Sequence, residues 1–228
     1  MLMTDLLTKP EFLDPLLLSL KVSLISSVIV FLIGIGVAWI MTTKRVKGKT
    51  LLETVFLLPM VLPPTVIGFI LLVLVGRKSW FGKLAERIFD HSFIFSWWAA
   101  VAAAVVVSFP LVYQSLKAGF QSIERELQDS ARSMGANEWQ VLLHITMPLA
   151  WRALVTGYVL GFARGLGEFG ATLMVAGNIP GRTQTIPTGI YFAVDSGNTS
   201  LAWLLSGATI AISFLMLLFT GKLKGKTS

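Results

Sequence analysis

From Val22 to Thr43 the chain carries no charged residue, a run of 22. A helix of about 20 apolar residues crosses the hydrocarbon of a bilayer, and a backbone in lipid must satisfy its own hydrogen bonds. The run is therefore read as a membrane-spanning helix. Similar stretches recur at about 51–75, 93–114, 149–177 and 201–220. Composition agrees: 54% of the 228 residues are hydrophobic and 14% charged, against about 25% charged in soluble domains. The expectation is an all-α membrane protein of five, at most six, transmembrane helices, forming one transmembrane domain over residues 1–228. Residues 1–15, mixed and holding Pro10 and Pro15, read as a short tail or surface helix. The first span follows Asp5, Glu11 and Asp14 rather than a basic segment, so it does not read as a cleavable signal. With no cysteine, disulfides, thiolate nucleophiles and cysteine metal sites are excluded.

Two spans carry interruptions. The second holds Pro59, Pro63 and Pro64. Proline removes a backbone donor and kinks a helix, and in a membrane the freed carbonyls need neighbouring helices or a water-lined path. The run Leu58–Pro64 thus reads as pathway-facing or tightly packed. The fourth stretch contains Arg152, Arg164 and Glu168. Arg152 can snorkel to the interface. Arg164 lies 16 residues past Pro148, on the order of 24 Å along a helix. Arg164 and Glu168 are four apart and can pair; an ionisable residue at that depth points to a pathway or gate, a structural ion pair near the outer interface being the alternative. Gly157, Gly161 and Gly165 repeat every four residues, the pattern of close helix contact. Gly167 and Gly170 loosen the helix around Glu168. Gly34 and Gly36 have no strand or phosphate site around them and read as packing residues.

Loops set the orientation. One side would hold Lys44, Arg45, Lys47, Lys49, Lys117, Arg125, Arg132, Lys222, Lys224 and Lys226; the other Lys9, Arg77, Lys78, Lys83, Arg87 and Arg182. The richer side is expected to be cytoplasmic, which puts the N-terminus outside and the C-terminus inside. Trp97 and Trp98 read as interface anchors of the third span. Residues 76–92 and 178–200 read as outer loops, the latter with an apolar patch, 190–194, able to dip into the membrane.

Between the third and fourth spans, residues 117–148 are polar. Ile123, Leu127, Ala131 and Met134 have helical spacing. Gly135 sits where a left-handed residue would end that helix. Asn137 and Gln140 have the spacing of a capping box for a second helix, which Pro148 keeps from continuing regularly. A DNA-binding helix–turn–helix needs a basic face, whereas Lys117–Met147 carries three basic and four acidic residues. A plain polar loop and a docking element stay open from composition alone. His91 and His144 have no partner suited to metal or acid–base work, and no nucleophile triad or metal cluster appears. The tail Gly221–Thr227 resembles a phosphate-binding loop but its glycines are too close together. No catalytic residue is assigned, so if the chain moved a solute uphill it would have to borrow its energy from a partner.

The spacing from 129 to 148 resembles the cytoplasmic signature of permease subunits of bacterial ABC importers, the binding-protein-dependent transport system inner membrane components. Asp129-Ser130-Ala131, three residues, Gly135, nine residues, then Ile145-Thr146-Met147-Pro148 match an E-A-A…G…I-x-L-P pattern, with Asp for Glu, Ser for Ala and Met for Leu. Phe162–Thr172 (F-A-R-G-L-G-E-F-G-A-T) resembles a segment of oxyanion permeases; together with 58–68 and 177–187 it is most similar to the molybdate permease family. The resemblance covers nearly the whole chain. It implies a type I ABC importer permease fold with a cytoplasmic coupling helix, and a homodimer forming the path for molybdate or tungstate. It also implies two cytoplasmic ATPase subunits holding ATP and Mg, and a periplasmic or lipid-anchored binding protein. No cofactor or metal is expected on this chain. By the same resemblance Asp129, Ser130, Ala131, Gly135, Ile145 and Pro148 form the ATPase-coupling motif. Arg164, Gly167, Glu168, Gly170 and Thr172, with Pro59, Pro63 and Pro64, belong to the translocation path or gate. The rivals are a sulfate or thiosulfate permease and an ion-coupled secondary transporter. The last would call for midplane charges and internal repeats; one candidate pair and no repeat are found.

Overall fold

The computed structural model describes residues 7–76, 79–80, 82–83, 87 and 92–225, the side chains of 219 and 222–225 excepted. Among these residues the secondary structure is entirely helical. His91, Lys226 and most charges of the expected loop 76–92 lie outside them.

Helix α1 (Pro10–Thr43) is 34 residues long, about 50 Å. It starts well before the expected Val22. Pro10 occupies the first turn, where its missing N–H costs nothing, and Phe12 is buried with Ile186 and Leu205. Glu11 and Asp14 stay at the polar end, and the Lys21 ammonium lies 3.8 Å from the Trp97 ring centroid. The buried face of α1, from Ser19 through Val30 and Ala38 to Met41, packs on α4 (Trp97–Gln121). Helix α4 is the central helix, flanked by α1, α2 and α7. Its small residues Ala99, Ala100, Ala103 and Ala104 are almost wholly buried.

The expected second span is not one helix. Helices α2 (Lys49–Val61) and α3 (Pro64–Val75) meet at 114°. Leu62 and Pro63, each followed by proline, adopt extended backbone with ψ of 142° and 137°, as a pre-proline residue prefers. Each helix is about 20 Å long, too short to cross alone. Helix α2 runs antiparallel to the later half of α4, and α3 then turns across its earlier half. Glu53 meets Lys117, Phe56 meets Tyr113 and Phe109, and Ile67 reaches the cluster of Ala99–Val107.

Helices α5 (Arg125–Ser133) and α6 (Glu138–Leu149, with a π-turn at Leu142–Thr146) follow, and α6 turns by 82° into α7 (Trp151–Leu166). Helix α7 climbs back along α4. A Cβ on Gly161 would lie 2.8 Å from Val112 Cγ2, so this close approach requires glycine. The expected fourth span, 149–177, is thus divided: α7 ends at Leu166, residues 167–169 break the helix, and α8 (Gly170–Ala176) continues against α3.

The expected loop 178–200 contains a helix, α9 (Ile186–Asp195). Thr185 caps it with Thr188 in reciprocal hydrogen bonds, and Pro187 sits in the first turn. Its Ile190 packs against α1 and α10 (Thr199–Gly225), while Tyr191 and Val194 are exposed. Long α10 is apolar but mostly exposed. Among the described residues three helices are long and apolar enough to span, and up to five if each bent pair counts as one.

Candidate functional site

Two regions hold the residues singled out from sequence. The first is the polar unit at the end of the bundle that carries Lys44 and Lys49. Helix α5 ends at Ser133, and Gly135 has φ of +92°. Ala136 N–H donates to the Ala131 carbonyl and Gly135 N–H to the Arg132 carbonyl, the double bond of a Schellman stop. Asn137 then caps α6: its Oδ1 accepts from Gln140 N–H at 2.9 Å, and its own N–H donates to Gln140 Oε1 at 2.8 Å. Arg132 ties the two helices, bonding Asp129 at 2.7 Å and Glu138 at 2.8 Å. The guanidinium hydrogen bond holds the Glu138 carboxyl below its ordinary value, against the opposing effect of burial.

The expected common apolar face of 123, 127, 131 and 134 splits. Ile123 and Met134 flank α5 rather than belonging to it. Ile123 and Ala131 pack on the core around Tyr113 and Leu116, while Leu127 and Met134 are exposed. The reason is length: a nine-residue helix reversing at Gly135 cannot present four such positions to one neighbour. Trp139, 71% exposed, and Leu143 extend the outward apolar surface. Sequence reasoning passed over both, although an aromatic in a polar segment was the available signal. Of the motif residues, Asp129, Ser130, Gly135 and Pro148 are exposed and Ala131 and Ile145 half-buried. His144 makes only a contact of 3.2 Å with the Gln140 carbonyl.

The second region is where two helix breaks meet. A Cβ on Gly170 would lie 3.0 Å from Pro64 Cβ, so α8 starts directly against the α2–α3 bend. Glu168 is buried, its side chain 2% exposed, and both its oxygens are used. One accepts from Ala171 N–H at 2.8 Å and so caps α8; the other pairs with Arg164 Nη1 at 2.8 Å. Arg164 is 31% exposed. Thr172 is buried, Gly167, Pro63 and Pro64 are exposed, and Pro59 is half-buried one turn before the bend. Gly165 packs against Ala104, which lies about 10 Å along α4 from Trp97 and about 25 Å from Gln121. The pair therefore sits inside the bundle, nearer the Trp97 end. Among the described residues no group of three or more metal-ligating side chains occurs.

A bundle of long apolar helices with a polar two-helix unit at one end and paired helix breaks within has the make-up of an integral membrane subunit. The chain belongs to the family of binding-protein-dependent transport system inner membrane components, whose sequence profile matches residues 30–226. It is 51% identical over 219 residues, 96% of each chain, to YvgM of Bacillus subtilis (strain 168), assigned as a molybdenum transport system permease. Identity is 41% to the molybdenum transport system permease ModB of Escherichia coli (strain K12), over 94% of each chain. The sulfate transport system permease CysW of Synechococcus elongatus is more distant, 33% identical over 92% of this chain and 73% of its own. Among solved structures, a bacterial ABC transporter involved in alginate import superposes with a TM-score of 0.73. It has 16% identity and covers 99% of this chain and 83% of its own. The MetNI methionine ABC transporter gives 0.70 at 14%, over 93% and 94%. The fold is that of an ABC importer permease, and the chain is a permease subunit of the inner membrane.

Proposed function

We propose that this chain is the permease subunit of an ATP-driven importer of molybdate or tungstate. The observation that carries the reading is high identity to two molybdenum permeases along almost the whole chain, with sulfate permeases further off. Two copies would form the path, two ATPase subunits would bind the end carrying α5 and α6, and a binding protein would deliver the anion at the other end. The basic end, with Lys44, Arg45, Lys47 and Lys49, is assigned to the cytoplasm, which places the N-terminus outside.

In the mechanism proposed, Gly135 fixes the angle between α5 and α6, and Asp129, Ser130, Ala131, Ile145 and Pro148 shape the docking unit. Exposed Leu127, Met134, Trp139 and Leu143 supply apolar contact to the ATPase. ATP and Mg act on those partners; this chain transmits movement and does no chemistry. At the other region, Pro59, Pro63 and Pro64 with Gly167 and Gly170 let two spans bend where they touch, and the Arg164–Glu168 pair fixes the second break. Thr172 packs behind it.

The test is expression with the genomic neighbours. An ATPase should co-purify, and ATP-dependent uptake of molybdate should be suppressed by tungstate far more than by sulfate. Sulfate competing equally would favour the sulfate permease reading. Uptake persisting without any ATPase would favour an ion-coupled carrier.

A further inference from the structure

A cavity of about 730 Å³ lies between the end of α1, the turn at 44–49 and the α5–α6 unit. Its wall carries Lys44, Arg45, Lys49, Arg125 and Arg132 against only Asp129 and Glu138. Both carboxylates are taken by Arg132. Lys44, Arg45 and Arg125 form no ion pair among the described residues, although Lys44 is near enough to act on Glu138. Lys49 spends one donor on the Met41 carbonyl, at 2.6 Å. Gln128 also lines the cavity; it is 8% exposed, and its side-chain amide has no hydrogen-bond partner among the described residues. A second cavity of about 270 Å³ shares Lys49, Arg125 and Gln128.

The Gln128 amide therefore reaches the hollow with its donors free, and three uncompensated cations around one hollow repel each other. A ligand with several acceptor oxygens and negative charge relieves both. The cavity lies beside the end of the apolar helix α1, where Lys44, Arg45 and Lys49 cluster. Basic pockets in that position suit phosphate headgroups, and guanidinium groups match phosphate oxygens in pairs. We propose that this cavity binds a phosphate-bearing anion, held by Lys44, Arg45 and Arg125 with Gln128 donating to an oxygen. The source of the phosphate is an anionic phospholipid of the adjoining leaflet or a free phosphate. The site is separate from the translocation path and does not depend on which anion is imported.

The test uses the full chain in detergent, with any subunits that accompany it. Thermal unfolding is titrated with dioleoylphosphatidylglycerol, with dioleoylphosphatidylcholine, and with inorganic phosphate at constant ionic strength. The wild type should be stabilised by phosphatidylglycerol and not by phosphatidylcholine; stabilisation by inorganic phosphate alone would identify the free ion as ligand. Gln128→Leu, which leaves charge unchanged, should weaken the effective anion roughly tenfold, and Arg125→Glu should weaken it further. Lys47→Glu makes the same charge change as Arg125→Glu just outside the cavity and should leave binding close to wild type. Absence of any anion-dependent shift would overturn the proposal. So would equal loss in Lys47→Glu and Arg125→Glu, since that is a diffuse basic surface, or unchanged binding in Gln128→Leu. If Arg125→Glu fails to fold, Gln128→Leu decides.

Discussion

Two arginines in this chain each hold carboxylates, in opposite settings. Arg132 bonds Asp129 and Glu138, whose side chains are 69% and 52% exposed, at the tip of the α5–α6 unit. Arg164 bonds Glu168, which is 2% exposed where two helix breaks meet. The bond lengths are alike, 2.7 to 2.8 Å. Surroundings make the difference. An exposed pair gains little over its hydrated components, about 0–1 kcal/mol, whereas a buried carboxylate stripped of its partner has no water to turn to. The first pair joins two short helices at an exposed tip, the surface proposed to dock the ATPase. The second fixes backbone at a place where the chain has given up helical hydrogen bonds.

The largest effect should follow from separating the buried pair. Arg164→Ala leaves Glu168 with only the Ala171 N–H, and we expect a loss of about 3 kcal/mol in stability together with most of the transport. Arg152→Ala, at the exposed start of α7 beside Trp151, should do far less. Unfolding temperature and uptake in the same preparations measure both. The double change Arg164→Ala/Glu168→Ala separates two roles. Recovered stability and uptake would make the pair purely structural; recovered stability with uptake still lost would make Arg164 a contact of the transported anion. Equal, mild effects of Arg164→Ala and Arg152→Ala would dissolve the contrast drawn above.

Next in size is the turn between α5 and α6. No atom lies within 4 Å of a Cβ built on Gly135, so the Cβ itself has room; the cost of Gly135→Val is set chiefly by φ of +92°, about 1–3 kcal/mol. The strain falls on the angle of α6, not on a span. Membrane levels should stay normal while the ATPase recovered per permease and uptake both fall several-fold. Gly135→Asn, which tolerates positive φ better, should retain more of each. Association unchanged in Gly135→Val would reduce residues 129–148 to a plain loop. Trp139→Ala tests the same docking face by contact rather than geometry. It should cut co-purified ATPase less than Gly135→Val, and leave thermal stability unchanged because the side chain is exposed.

These sizes track what could be read from the sequence. The exposed unit was legible in detail because its signals are local: Gly135 as a stop, and Asn137 with Gln140 as a cap, need only neighbours three residues away. The buried pair was legible as a spacing of four, but not the second oxygen of Glu168, which caps α8, because that break arises from tertiary contact of Gly170 with Pro64. The prolines at 63 and 64 announced a kink without its 114°, since the angle depends on how α3 settles on α8. Helices α4 and α10 are both long apolar runs, yet one is central and the other outermost. In a membrane, lipid and protein neighbours are equally apolar, so hydrophobicity does not rank them; the small residues Ala99, Ala100, Ala103 and Ala104 and the glycines facing α4 do. Helix α9 was missed although Thr185 and Thr188 carry a capping pair, because turn-rich flanks masked it.

The smallest effect belongs to the exposed pair, and pH isolates it. Glu138 titrates below its ordinary value of 4.5 because of Arg132. Its contribution is therefore fully present above 4.5 and is lost as pH falls through that value toward the lowered one; Arg132 stays charged throughout. Between pH 7 and pH 5.5 the α5–α6 unit should show constant amide hydrogen exchange, once the intrinsic pH dependence is removed. Below 4.5 exchange in residues 129–141 should rise modestly, by a factor of a few, as suits an exposed pair worth under about 1 kcal/mol. Glu138→Gln should show the faster exchange at every pH and no step. A step of the same size in Glu138→Gln would assign the transition to Asp129 or another group. A step far larger than a few-fold would mean that the unit depends on this network as heavily as the α7–α8 break depends on Glu168, and the two arginines would no longer differ in kind.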